Sequence, residues 1–174
     1  MAYIIGFGEP SDPQSLKLET RRRRWIHNVV RPEAPRDLMR THIQVCLVAC
    51  PQAIPVSSSA VYNCYGLAFA ARRCAIVDEE DVERILEDDG YRKRPWDPNA
   101  WLPGDVVVYR NDHGAIVHVG VVAKLVVDLT RGDVAVYVLS AWGNDGEYLQ
   151  PIDEVPALLG KATEVVAQRF LYDS

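Results

Sequence analysis

The sequence lacks any apolar run that approaches the roughly 18 residues needed for a membrane-spanning helix. It also lacks a secretion signal, because the apolar stretch at residues 1–8 has no basic leader and is ended by Pro10 and Pro13. No internal repeat and no low-complexity tract is found. These absences predict a cytoplasmic protein without a membrane partner, unless a signal-independent route exports it.

The sequence contains fewer basic residues than acidic ones. The 174 residues carry 19 Lys and Arg against 24 Asp and Glu, which gives a net charge of −5. A protein whose main task is to hold nucleic acid or an anionic polymer needs the opposite balance, so we expect no nucleic-acid partner. The run Arg21-Arg22-Arg23-Arg24 is the local exception. We interpret it as a solvated face beside an acidic surface, with a phosphate-binding site as the alternative.

Cysteine is scarce and shows no close Cys-x-x-Cys pair of the kind that structural zinc sites use. We expect the four thiols to be reduced. His42, Cys46 and Cys50 follow one another at four-residue spacing, which on a helix would align them as metal ligands. Because a fourth ligand is missing, apolar packing of the two thiols is the favoured interpretation. We therefore expect neither a metal nor a cofactor.

The length predicts one domain, with residues 1–50 as an N-terminal arm or helical extension of the domain formed by residues 51–174. In the first part we predict a short strand or arm at residues 4–8 and a helix at 15–30. A further helix is predicted at 38–49, where a strand pattern also fits. Residues 51–59 contain two prolines and three serines, and they are interpreted as a break between elements.

The second part begins with helices and continues with strands. Cys64 opens a helix whose N-cap is either Ser59 or Asn63, and a second helix runs from Asp78 to Gly90. Strands at residues 106–110, 116–127 and 134–140 form an antiparallel meander. A short helix at 152–159 and a strand at 163–171 follow. The predicted class is α+β, with helices packed on an antiparallel meander or half-barrel.

A thiol at a helix start and an imidazole on a strand are the residues that point to chemistry. The unpaired N–H groups and the dipole of a helix N-terminus favour the thiolate of Cys64. His118, in a valine-rich strand, can take the thiol proton and return it to a leaving group. His113 is the competing histidine, and its place in a turn beside Gly114 favours exposure over a fixed base.

Three short motifs in this order resemble the papain-like hydrolases of the NlpC and CHAP type. They are Asn63-Cys64-Tyr65-Gly66-Leu67, Pro103-Gly104-Asp105 and His118-Val119-Gly120. The resemblance covers residues 56–140. It implies a papain-like fold and a cysteine peptidase or amidase, with Cys64 as nucleophile and His118 as general base and acid. The implied substrate is an amide bond in a peptidoglycan stem peptide or a protein.

The family places a polar residue on the strand after the histidine, and the predicted hairpin assigns this third position to Ser140. Asn144 and Glu147 are substitutes, and an incomplete triad is the remaining option. Serine orients an imidazole less well than Asp, Asn or His does. The alternative function is therefore a catalytically degenerate papain-like fold that acts as a binding or interaction module.

The expected binding partners and biological context follow from the same resemblance and from the net charge. A hydrolase would bind a peptide or a peptidoglycan fragment, and the acidic charge fits an injected or phage-delivered enzyme or an intracellular protease or deamidase. The N-terminal region is the expected place for a protein partner. Trp96, Trp101 and Trp142 are interpreted either as the wall of a groove or as loop anchors.

Overall fold

The computed structural model describes residues 14–127, 129–130, 133–143 and 145–168, together with the backbone of residues 3–7. This part of the chain forms three α-helices, of which α1 is Arg36–Ala49, α2 is Cys64–Phe69 and α3 is Glu79–Asp88. The strands are β1 (Tyr3–Phe7), β2 (Leu16–Glu19), β3 (Asn28–Val29), β4 (Ile54–Ser57), β5 (Ala75–Ile76), β6 (Arg92–Lys93), β7 (Val106–Arg110), β8 (Ile116–Val127), β9 (Val134–Ala141), β10 (Glu147–Pro151) and β11 (Lys161–Ala167). The predicted α+β class is confirmed at this level.

Seven strands form one antiparallel sheet in the order β4-β10-β9-β8-β7-β11-β6. Its centre is the predicted meander of β7, β8 and β9, which is rich in the β-branched residues that strands favour. Two two-stranded pairs, β1 with β2 and β3 with β5, complete the described sheets. Because side chains alternate along a strand, each strand of the large sheet contributes residues to two separate faces.

Helix α2 packs on one face of this sheet, and its start is set by a side-chain cap. The Asn63 side chain accepts a hydrogen bond from the Gly66 N–H at 3.0 Å, so Asn63 is the N-cap. The helix ends at Phe69 because Ala71 and Arg72 adopt left-handed backbone with φ of 49° and 63°. Cys74 lies beyond this turn and is fully buried in the core.

The N-terminal third shares its core with the rest of the chain. Leu18 and Ile26 are fully buried in the cluster that also contains Val119 of β8 and Val82 of α3. The helix predicted at residues 15–30 is wrong, since this segment forms β2 and β3. The alternating burial of residues 16–19 is the period of a strand, which the arginine run obscured.

The arginine run lies beside acidic residues, as predicted. Arg24 donates to both carboxylate oxygens of Asp88 at 2.6 Å, and Arg22 lies 3.5 Å from the same side chain. Arg24 also pairs with Glu87 at 2.8 Å. The acidic surface belongs to the last turn of α3, so these contacts fasten the loop after β2 to that helix.

Several further predictions were tested by the fold. The helices at 38–49 and 78–90 and the strands at 106–110 and 116–127 are confirmed as α1, α3, β7 and β8. The break predicted at residues 51–59 is wrong in part, since this segment contains edge strand β4. Strand β10 is not among the predicted elements. The helix predicted at 152–159 is only a 3-10 turn at Ala157–Leu159. The final strand is present as β11, and residues 169–171 of the prediction lie outside the described residues.

None of the helices in the described part of the chain is long and apolar enough to span a bilayer.

Candidate functional site

The Cys64 side chain lies in the core between α2 and the sheet. Cys64 exposes only 7% of its surface and belongs to the same apolar cluster as Val108 and Val119. Burial raises the pKa of its thiol to about 11. The backbone N–H groups of Val119, Tyr65 and Cys64 itself oppose this shift by favouring the thiolate. The expected effect of the helix N-terminus is therefore present, but desolvation outweighs it.

His118 lies on the opposite face of the sheet. Its partner across β7 is Tyr109, whereas the next residue, Val119, pairs with Val108. Val108 and Val119 face the α2 core, so Tyr109 and His118 face away from it. The two rings on this far face are in contact, with centroids 5.1 Å apart.

Within the part of the chain that the structure describes, the His118 ring has no hydrogen-bond partner on either nitrogen, although it is completely buried. Neither nitrogen therefore lies within hydrogen-bond distance of the Cys64 sulfur. Desolvation lowers the pKa of His118 to about 3, which keeps the ring neutral at ordinary pH. The predicted pairing of Cys64 with His118 is wrong in this structure, because one residue of register decides the face on which a side chain lies.

Ser140 shares the face of His118 but does not orient its ring. The Ser140 hydroxyl accepts a hydrogen bond from the Trp142 indole at 3.0 Å and is hydrogen-bonded to the Gln150 amide at 2.8 Å. These contacts satisfy a buried hydroxyl and connect β9 to β10. The predicted role of Ser140 as third triad member is therefore wrong for the described geometry.

The two substitutes for the third position have different outcomes. Asn144 lies outside the described residues. Glu147 is buried and accepts hydrogen bonds from the Tyr62 hydroxyl and the Arg72 guanidinium. Its carboxylate is therefore bound by these two groups and not by His118. His113 is exposed in its turn, as predicted.

The thiols of α1 pack in a small cluster of their own. Cys46 and Cys50 contact Trp142 and Tyr148, whose rings stack with centroids 4.1 Å apart. The packing interpretation of these two thiols is confirmed. His42, on the same side of α1, forms a hydrogen-bonded pair with Asp145, so this histidine fastens the helix to the turn between β9 and β10.

Another group has the composition of a metal site. His27, Asp78 and Asp81 place one ligand atom each within 4.8 Å of the others. Asp81, however, already accepts from the His27 backbone N–H at 2.7 Å and from Arg84 at 2.5 Å. A cation would have to displace these donors, so we assign the group to the ion pairs that hold the start of α3.

Comparisons with known proteins give no relative for this chain: no family model matches it, and neither the curated proteins nor the solved structures contain a match.

Proposed function

We propose that this protein is a non-catalytic interaction module with a papain-like order of elements. The order supports this assignment, since a cysteine-initiated helix, α2, precedes an antiparallel meander that carries His118 on its second strand. The observation that carries the proposal is the separation of Cys64 and His118 on two faces of one sheet. A thiol and an imidazole that cannot exchange a proton provide no activated nucleophile.

An interaction role needs an accessible surface, and α1 and β4 provide one. Val45 and Val48 of α1 are exposed to 64% and 86%, and Leu38 lies on the same side of the helix. Ile54 and Val56 of edge strand β4 are more than half exposed. Large apolar side chains that remain in water on one side of a helix and along an edge strand are typical of protein-binding surfaces.

Pro55 limits the way in which a partner can bind this surface. It lies in the middle of β4 and has no N–H to donate, which makes strand addition along this edge unfavourable. Side-chain contacts with α1 and β4 are therefore the expected mode of binding. Of this surface, α1 lies in the N-terminal region, which is the predicted place for a protein partner, whereas β4 lies just beyond it.

The first experiment tests for thiol chemistry. The folded protein is treated with iodoacetamide near neutral pH, and each cysteine is followed by mass spectrometry. We expect Cys64 to remain unlabelled until the chain is unfolded, because a pKa near 11 and burial both suppress the reactive thiolate. His118→Ala should not change its rate. If Cys64 were labelled faster than Cys46, Cys50 and Cys74, and His118→Ala slowed that labelling, the result would contradict the proposal and favour a cysteine hydrolase.

The second experiment tests the surface. A photo-crosslinking amino acid is placed at Val48 and, as a matched control, at Leu158, which is similarly exposed but lies in the 3-10 turn before β11. We expect a discrete cross-linked protein from Val48 alone, and its loss when Val45→Asp is added. No product at Val48, or the same products at both positions, would contradict the interaction role of this surface.

A further inference from the structure

A groove with aromatic walls lies on the sheet face away from α2. Trp101 is buried in the apolar cluster of that face, and Trp96 packs edge-on against it with ring centroids 5.1 Å apart. Residues 134–137 of β9 line the same groove, which encloses about 360 Å³. Of the three tryptophans singled out in the sequence, Trp96 and Trp101 thus form a groove wall, whereas Trp142 is a buried anchor.

The two tryptophans have different roles. The Trp101 indole N–H donates to the Pro95 carbonyl at 2.8 Å, so this ring is a fixed part of the wall. Trp96 is 55% exposed, and its indole N–H has no partner among the described residues. An exposed aromatic ring with a free donor provides both a packing surface and one hydrogen bond for a ligand.

Prolines and a carboxylate complete the groove. Pro98 and Pro151 contribute apolar surface to its lining. Asp153 is charged and lines the groove, and no Lys or Arg is among its described lining residues.

We propose that this groove binds a proline-rich segment of another protein that carries Arg or Lys. A polyproline II helix has no internal hydrogen bonds and presents its prolines to aromatic ridges and its carbonyls to donors such as a tryptophan N–H. The Asp153 carboxylate then pairs with a basic side chain of the segment. A glycan is the rival ligand, but sugars need many directed hydrogen bonds, and the groove offers few polar side chains besides Gln52 and Asp153.

This inference goes beyond the proposed function, since it concerns residues other than those of the α1 and β4 surface. The two proposals fail separately. Iodoacetamide labelling and cross-linking at Val48 report on the first, whereas substitutions at Trp96 and Asp153 report on the second.

The test uses the full chain and a fluorescein-labelled peptide of repeated proline-proline-arginine units, with binding measured by fluorescence anisotropy. The comparison ligands are the same peptide with glutamate for arginine, a glycine-serine-arginine peptide of equal length, and chitotetraose. We expect saturable binding of the proline-arginine peptide alone. No saturation, equal binding of the glycine-serine-arginine peptide, or preference for the glutamate peptide would overturn the proposal, as would binding of the sugar in its place.

Variants then locate the site. Trp96→Ala should weaken binding at least about tenfold, because it removes a ring at the centre of the contact. Trp96→Phe keeps a ring but loses the donor, and we expect a loss of about threefold. Asp153→Asn should lower both the affinity and its dependence on salt. Leu158→Ala, a substitution at another exposed apolar side chain, is the control. Equal affinity of Trp96→Ala and wild type, with unchanged unfolding midpoints, would show that the peptide binds elsewhere.

Discussion

The two faces of the seven-stranded sheet differ in how their buried polar groups are satisfied. On the α2 face, the thiol of Cys64 lies among aliphatic and aromatic residues, with backbone N–H groups as its polar neighbours. On the far face, His118 is buried with no hydrogen-bond partner among the described residues, whereas Ser140 and Gln150 are hydrogen-bonded to each other. A buried polar group with no partner lowers stability even when neutral, and lowers it far more when charged. The depressed pKa of His118 keeps the ring in its less costly neutral form. The faces are thus two separate cores, and a residue on one cannot act on a residue on the other.

The tightest contact on the α2 face is expected to be the most sensitive to substitution. In Gly66→Ala, the new Cβ would lie 1.8 Å from the Cys74 carbonyl oxygen, which is backbone and cannot rotate away. We expect the free energy of unfolding to fall by more than about 3 kcal/mol, measured by urea denaturation. Gly114→Ala is the control, because only its backbone angle is strained and a loss of about 1 kcal/mol is expected. Equal losses would contradict the steric explanation.

The matching glycine on the far face should be more tolerant. In Gly120→Ala, the Cβ would lie 2.2 Å from a Val138 methyl group, and a side chain is an obstacle that substitution can remove. We expect a loss of about 2 kcal/mol for Gly120→Ala. In the Val138→Ala background, Gly120→Ala should lower the free energy of unfolding much less than it does alone, since the obstructing methyl group is gone. Strictly additive effects in the double-mutant cycle would show that the two side chains do not meet.

His118 should make stability depend on pH. Its pKa is about 3 when folded and 6.5 in the reference state, so below pH 6.5 the unfolded chain takes up a proton that the folded chain excludes. The free energy of unfolding is therefore highest above pH 6.5 and falls as the pH is lowered toward 3, with a loss of about 2 kcal/mol at pH 5. His118→Leu should remove this part of the slope. His113→Leu, in an exposed turn, is the control, and identical slopes for wild type and His118→Leu would disprove the explanation.

The smallest expected effect is at the start of α2. The Asn63 side chain caps the Gly66 N–H and also donates to the Ile76 carbonyl at 2.7 Å. We expect Asn63→Ala to cost about 1 to 2 kcal/mol in thermal unfolding. Asn63→Asp keeps the cap but loses the donor, so it should lie between alanine and wild type. If Asn63→Asp destabilises as much as Asn63→Ala, the cap contributes little.

Local patterns in the chain predicted several elements with the bounds that the structure has. The β-branched runs at residues 106–110 and 116–127 have a clear strand composition, and Asn63 is a typical helix cap. The segment at 15–30 was misread because four arginines hide the alternation of Leu16 and Leu18. Strand β4 was missed because its pairing with β10 comes from a distant part of the chain, and its Pro55 suggested a break.

The sequence by itself determined the α+β class, the helix that begins at Cys64 and the strand that carries His118. These features depend on caps, turns and residue periodicity, which are interactions between near neighbours. Tertiary structure alone decided which way the imidazole points and that Trp96, Trp101 and Asp153 share a groove. The physical reason is that the pairing register of a strand depends on contacts far along the chain, and a shift of one residue moves every side chain to the other face.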